Sequence, residues 1–209
     1  MGFNNKTKRV LAVILGLIGA GQLAGASAED IAKFAAPLSV EYERPPGVDY
    51  SQYDKLIIND LDISDTKILP PPWAADKPFK WKVSDRNVAA LQKEFHASMV
   101  DQVSGNNGYD IVAEPEEGAI EMTLTIISFM PYAERKEKVV TKGSGEMHIS
   151  VEVRDALSGQ LLAIYEGTQE VGKDYNENTD FSRQENLKKL FDSWGARLRI
   201  ALDEDHGRN

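Results

Sequence analysis

Six oxygen-bearing side chains near the C-terminus have the spacing of a cation loop. Asp174, Asn176, Asn178, Asp180, Ser182 and Glu185 stand at positions 1, 3, 5, 7, 9 and 12 of a twelve-residue window. Calcium takes about six to eight hard oxygens, and this series matches the EF-hand order of ligands. Glu185 falls in the first turn of the last helical segment, where a bidentate carboxylate belongs. Two features oppose the metal reading. Position 6 is Thr179, where the sharp turn requires Gly, and a β-branched residue takes positive φ poorly. The preceding element also reads as a strand rather than a helix. Asp and Asn equally favour ordinary loops, and Asp180 or Ser182 suits a helix N-cap. A calcium- or small-ligand-binding domain is therefore the alternative reading.

Other reactive constellations are sparse. His96, His148 and His206 are scattered, without the spacing of a metal or catalytic motif. There is no Gly-x-Ser-x-Gly elbow and no phosphate-binding glycine loop. The absence of cysteine excludes a thiolate zinc site, a cysteine nucleophile, a disulfide framework and a lipid-accepting cysteine. With 33 acidic residues, carboxylate pairs are too common to single out a general acid and base. The expectation is a protein without catalytic activity and without a cofactor.

Two clusters could make contacts instead. Trp73, Phe79 and Trp81 lie in a proline-rich loop, and exposed aromatics anchor interfaces. The competing reading is that they fold back over one end of the core. Arg135, Lys136 and Lys138 form a basic stretch on an acidic chain. They would suit an acidic partner, or they belong to a solvated hairpin extension. The partner expected is an envelope protein or a wall component. Nucleic acid is not expected, because a chain of net charge −9 lacks the cations that neutralise phosphates.

The elements that must position these groups follow from periodicity. Residues 29–53 read as an extended arm, broken by Pro37, Pro45, Pro46 and Gly47, with Tyr42, Tyr50 and Tyr53 available to pin it. Leu56-Ile57-Ile58 is a continuous apolar run, the mark of a strand buried on both faces. Ser84 should cap a helix from Asp85 to about Val103, with Val88, Leu91, Phe95, Met99 and Val103 on one stripe. Tyr109 to Ala113 is a short strand. Residues 120–130 and 145–154 alternate, so each buries one face. Asp155 to Gln160 turns the chain, with Gly159 free to take positive φ, and Leu161 to Thr168 returns. A final helix carries Leu187, Leu190, Phe191, Trp194, Leu198, Ala201 and Leu202 on one stripe. The fold class is α+β in a single domain over 54–203. Its order is β-α-β-β-β-β-α, with a mixed, mostly antiparallel sheet and two helices packed on one face. Residues 204–209 read as a flexible tail.

The N-terminus supplies an address. Lys6, Lys8 and Arg9 precede an apolar run from Val10 to Ala20, and Ala26-Ser27-Ala28 follows. This is the pattern of a signal peptide over 1–28, cut after Ala28. The run is short for a membrane span. The expected product is periplasmic or secreted in a bacterium, with no transmembrane span after cleavage and no lipid anchor. Cleavage removes three cations and no acids, leaving 21 Lys+Arg against 33 Asp+Glu and a net charge of −12.

A series of short motifs then becomes informative by its order. Tyr53-Asp54-Lys55-Leu56-Ile57-Ile58 opens the body, followed by a helix with Leu91, Phe95 and Met99, then Tyr109-Asp110-Ile111-Val112. Gly118-Ala119-Ile120-Glu121-Met122-Thr123 starts the next strand. Gly143-Ser144-Gly145-Glu146-Met147-His148-Ile149-Ser150-Val151-Glu152-Val153 leads to Asp155 and Ser158-Gly159-Gln160-Leu161-Leu162-Ala163. Phe191, Trp194-Gly195-Ala196-Arg197-Leu198 and Leu202 close the chain. Over roughly residues 50–203 this resembles the bacterial envelope family designated domain of unknown function 3313. The resemblance implies a secreted, often lipid-anchored protein without a known common activity. It supplies no catalytic residues. This chain departs from the lipoprotein pattern, with Ala28 at the cut and no lipid-accepting cysteine.

Overall fold

Alternating apolar residues force one face of 119–126 and one face of 145–154 inward, and the two segments pair along their lengths as the spine of a sheet. The computed structural model describes residues 26–43, 47–74, 81 and 84–208. In chain order its elements are α1 (Ala28–Ala32), β1 (Ser39–Glu43), β2 (Lys55–Ile58), β3 (Lys67–Ile68), α2 (Asp85–Ser104), β4 (Asp110–Ile111), β5 (Ala119–Pro131), β6 (Val140–Lys142), β7 (Gly145–Asp155), β8 (Leu161–Glu170), β9 (Tyr175–Glu177) and α3 (Asp180–Asp205). The main sheet runs β1-β8-β7-β5-β2-β4, with β3 also paired to β5, while β6 and β9 form a separate ribbon. β1, β8, β7 and β5 pair antiparallel, whereas β2 lies parallel to β4 and β5, and β3 parallel to β5. This is the α+β class expected, and the anticipated strand–helix order is present as β2-α2-β4-β5-β7-β8-α3.

β2 sits between β4 and β5 and packs apolar side chains on both of its faces. Leu56 and Ile58 join the main core, while Ile57 packs on the opposite side with Ala119 and Ala156. α2 and α3 cover the inner face of the sheet. Phe95 meets Phe191 edge-on with ring centroids 5.5 Å apart. Gly195 lets the two helices press together, since a Cβ there would come 2.8 Å from the Cβ of Gln102. Leu190, Phe191 and Trp194 are buried as the stripe predicts, but Ala201 faces solvent, one step round the helix from buried Leu202.

The described residues on either side of the body, 26–53 and 204–208, are more structured than their composition suggests. Ser27 caps α1 by accepting the Asp30 N–H, and β1 extends the sheet along β8. Between them, a strap over residues 32–36 is held by buried polar side chains. Ser193 Oγ donates to the Ala32 carbonyl (2.9 Å) and accepts the Ala35 N–H (2.8 Å). The Gln169 amide donates to the Ala36 carbonyl (3.2 Å) and accepts the Ala36 N–H (3.1 Å), and Arg197 donates to the Ala35 carbonyl. Ser193 and Gln169 have no exposed surface. At the other end, α3 continues to Asp205, the His206 ring packs on Tyr109 at 5.2 Å, and the Arg208 guanidinium lies 4.7 Å from the same ring. Residues 1–25, most of the stretch whose pattern suggests a signal peptide, lie outside the described residues, as does Phe79. Among the described residues, no helix is long and apolar enough to cross a membrane.

Candidate functional site

Apolar side chains from the sheet and both long helices converge at one end of the described residues. Val88 and Leu91 come from the first turns of α2, and Leu187 and Phe191 from the first half of α3. Ile126, Phe129 and Met147 form the floor on β5 and β7, and Ile63 and Ile68 close one side. Together with Trp81 they line a groove of about 690 Å³, within the ~300–1,000 Å³ typical of small-molecule sites. The helices run side by side in the same direction, so their N-terminal halves flank it together, while Gly195 presses them together farther along. Trp81 is half-buried and meets Phe129 edge-on, with centroids 5.9 Å apart.

The rim is charged. Arg86, Arg135 and Arg183 stand there with Asp180 and Glu94. Asp180 accepts from Arg183 Nη2 at 2.5 Å and lies 3.5 Å from Arg135 Nε. The Arg183 hydrogen bond, followed by the charges of Arg183 and Arg135, holds its carboxyl below the ordinary range, so it stays ionised. With the Asn87 amide turned to donate to Ser84 Oγ, its oxygen accepts from Arg135 Nη1 and Nη2 at 2.9 and 3.2 Å. Arg135 thereby ties the turn after β5 to the start of α2. Among the described residues, Arg86 has no ion-pair partner.

The structure separates the two contact clusters that the sequence suggests and brings one member of each together. Trp81 and Arg135 line the same groove. Trp73 is 65% exposed and packs 6.0 Å from the Tyr132 ring, outside the groove lining. Lys136 and Lys138 are exposed in the turn before β6.

The oxygen series is dispersed. Asn176 lies in β9, paired with β6, so Tyr175 to Glu177 is extended rather than looped. Asn178 Nδ2 donates to the carbonyls of Glu134 and Glu137, both at 2.8 Å, and its oxygen accepts from Arg183. It is a clip between the turn and α3. Thr179, not Asp180 or Ser182, caps α3 by accepting the Ser182 N–H. Glu185 pairs with Lys189 at 3.2 Å. Among the described residues, no group of three or more His, Asp or Glu side chains gathers in metal-binding geometry.

The outer face of the sheet carries a second polar set. His148 Nε2 lies 2.7 Å from Glu166 Oε1, and its Nδ1 lies 3.3 Å from Thr168 Oγ1. Both the His148 and the Glu166 side chains are more than a third exposed. The groove thus combines shape, apolar surface and charge in one place. Arg86 and Arg183 escape a reading of the sequence, although a signal is present. Each is a cation in the first turn of a helix, the end where acids are favoured.

A family model described as a protein of unknown function, DUF3313, matches residues 39–198. No curated protein matches the chain. Among solved structures, it is similar to a Xanthomonas campestris protein of the DUF330 family, at 9% identity and a TM-score of 0.46, covering 82% of this chain and 97% of that one. It is also similar to PelC from Paraburkholderia phytofirmans, described as a dodecamer, at 7% identity and a TM-score of 0.33, covering 76% and 98%. A neuraminyllactose-binding hemagglutinin homolog from Helicobacter pylori matches at 8% identity and a TM-score of 0.39, covering 83% and 95%.

Proposed function

We propose that this chain, which belongs to the DUF3313 family of proteins of unknown function, is a non-catalytic binding module of the bacterial envelope that holds an apolar group of its partner in the groove between α2, α3 and the sheet. The observation that supports this is the groove itself. Leu91, Leu187, Phe129 and Trp81 leave apolar surface in contact with solvent where a core would ordinarily close over it. Such surface is costly to leave exposed, at roughly 25 cal/mol per Å², and covering it favours association. The signal pattern at Ala26 and Ala28 supports export, and N-terminal sequencing of the protein from an exporting bacterium should begin at Glu29. A membrane-retained full-length product would overturn the export reading.

The groove is tested with a neutral fluorescent probe, N-phenyl-1-naphthylamine. It should bind saturably, and Leu91→Glu should abolish the signal because it places a charge in the apolar wall. Trp81→Ala, a milder change at the edge of the groove, should weaken the probe with the far-ultraviolet dichroism unchanged. A linear, non-saturable response in the unaltered protein would overturn the reading.

A further inference from the structure

Resting on the groove reading, we propose that the ligand is a single-chain amphiphile with a carboxylate head, a long-chain fatty acid. Its tail would lie along Leu91, Leu187 and Phe129, with its head at Arg86. Three arginines face two acids at this rim, a local positive excess on a chain of net charge −9. Asp180 already engages Arg183 and Arg135, which leaves Arg86 as the cation with no ion-pair partner among the described residues. An anion is the complement of that rim.

The interior argues for a hydrocarbon rather than a peptide. A peptide brings a backbone donor and acceptor per residue, each of which needs a partner when buried. The groove offers few. Ser64 Oγ donates to Asp62 Oδ1, Thr66 Oγ1 donates to the Ile126 carbonyl, and Ser144 Oγ receives the Asn186 amide. A methylene chain asks nothing of those groups. The polar residues at the mouth suit a ligand that is charged at one end only.

Displacement of N-phenyl-1-naphthylamine by myristate, octanoate and 1-tetradecanol tests this assignment. Myristate should displace the probe at about ten-fold lower concentration than the alcohol of equal chain length, as a charge-assisted hydrogen bond provides. Each methylene added between octanoate and myristate should tighten binding, up to about four-fold where it is fully buried. Arg86→Gln should erase most of the preference for myristate while leaving the probe bound. Arg86 holds no ion pair among the described residues, so this variant breaks none there, and far-ultraviolet dichroism checks its fold. Equal displacement by acid and alcohol, an unchanged preference in Arg86→Gln, or displacement by an acidic apolar peptide but not by myristate would overturn the fatty-acid assignment and leave the groove reading standing. Failure of the probe itself to bind would overturn both.

Discussion

Asp155 shows how a single side chain can close a turn and join it to the body. Its Oδ1 accepts from both the N–H and the hydroxyl of Ser158, at 2.8 and 2.7 Å, and its Oδ2 accepts from the Tyr53 hydroxyl at 3.1 Å. The Ser158 backbone bond, then the Ser158 hydroxyl, hold its pKa below the ordinary 3.8. A depressed carboxylate stabilises the fold above its unfolded value, and that contribution fades as pH falls through the folded one. Asp155→Ala should cost about 1–3 kcal/mol in urea melts at neutral pH, and the gap from the unaltered protein should narrow below pH 3.8. Tyr109 carries the opposite sign. Burial, then its hydrogen bond to Asp203 at 3.0 Å, pushes the phenol up to about 12. Its contribution is complete below the unfolded phenol value and is lost as pH rises through about 12. Alkaline melts of Tyr109→Phe should therefore lose stability less steeply above pH ~10 than the unaltered protein does.

At the scale of elements, the packing of α3 makes two quantitative demands. Trp194 is 7% exposed in the core, so Trp194→Ala should cost about 3–5 kcal/mol. His148→Ala, on the open outer face, should cost within roughly 1 kcal/mol, the worth of an exposed pair. Similar costs in parallel urea melts would show that the two faces of the sheet have been exchanged. Gly195→Val adds atoms where even a Cβ meets Gln102 at 2.8 Å, and overpacking of that kind costs about 1–3 kcal/mol. These elements were legible because their periodicity is long: α2, α3, β5 and β7 each repeat an apolar position several times. β3, β6 and β9 span only two or three residues, too few to show a period. β1 alternates Val40 and Tyr42, but all five of its residues are exposed and prolines flank it, so its pairing with β8 leaves no local mark. The cap of α3 was misplaced because Thr179, Asp180 and Ser182 are all competent caps, and tertiary contacts of Arg183 and Asn178 decide among them.

For the molecule as a whole, the candidate site was legible in fragments. Trp81 and Arg135 stood out by type, yet nothing local says that residues so far apart in sequence share a groove with Leu187. That juxtaposition comes from two helices running side by side over one sheet. The strap over residues 32–36 is a comparable long-range product. Its backbone meets Ser193 and Arg197 of α3 and Gln169 of β8, and nothing local to those polar residues points to partners more than 130 positions away. Ser193→Ala leaves the Ala32 carbonyl and Ala35 N–H without that partner, and an unsatisfied buried group costs about 1–3 kcal/mol. Urea melts should show that loss, and limited proteolysis should cut faster between residues 26 and 38.

The strap also dictates an order of events. Its three bonds to α3 close loops of 158, 161 and 162 residues, and β1 waits for β8 in the same way. A chain made from its N-terminus presents this segment long before α3, which satisfies it. Until Ser193 and Arg197 have emerged, the Ala32 and Ala35 backbone groups lack their α3 partners. Non-local closure of this kind is slow, because the entropy of the loop is lost before any contact repays it. Residues 32–36 therefore take their full native contacts only when the final helix arrives.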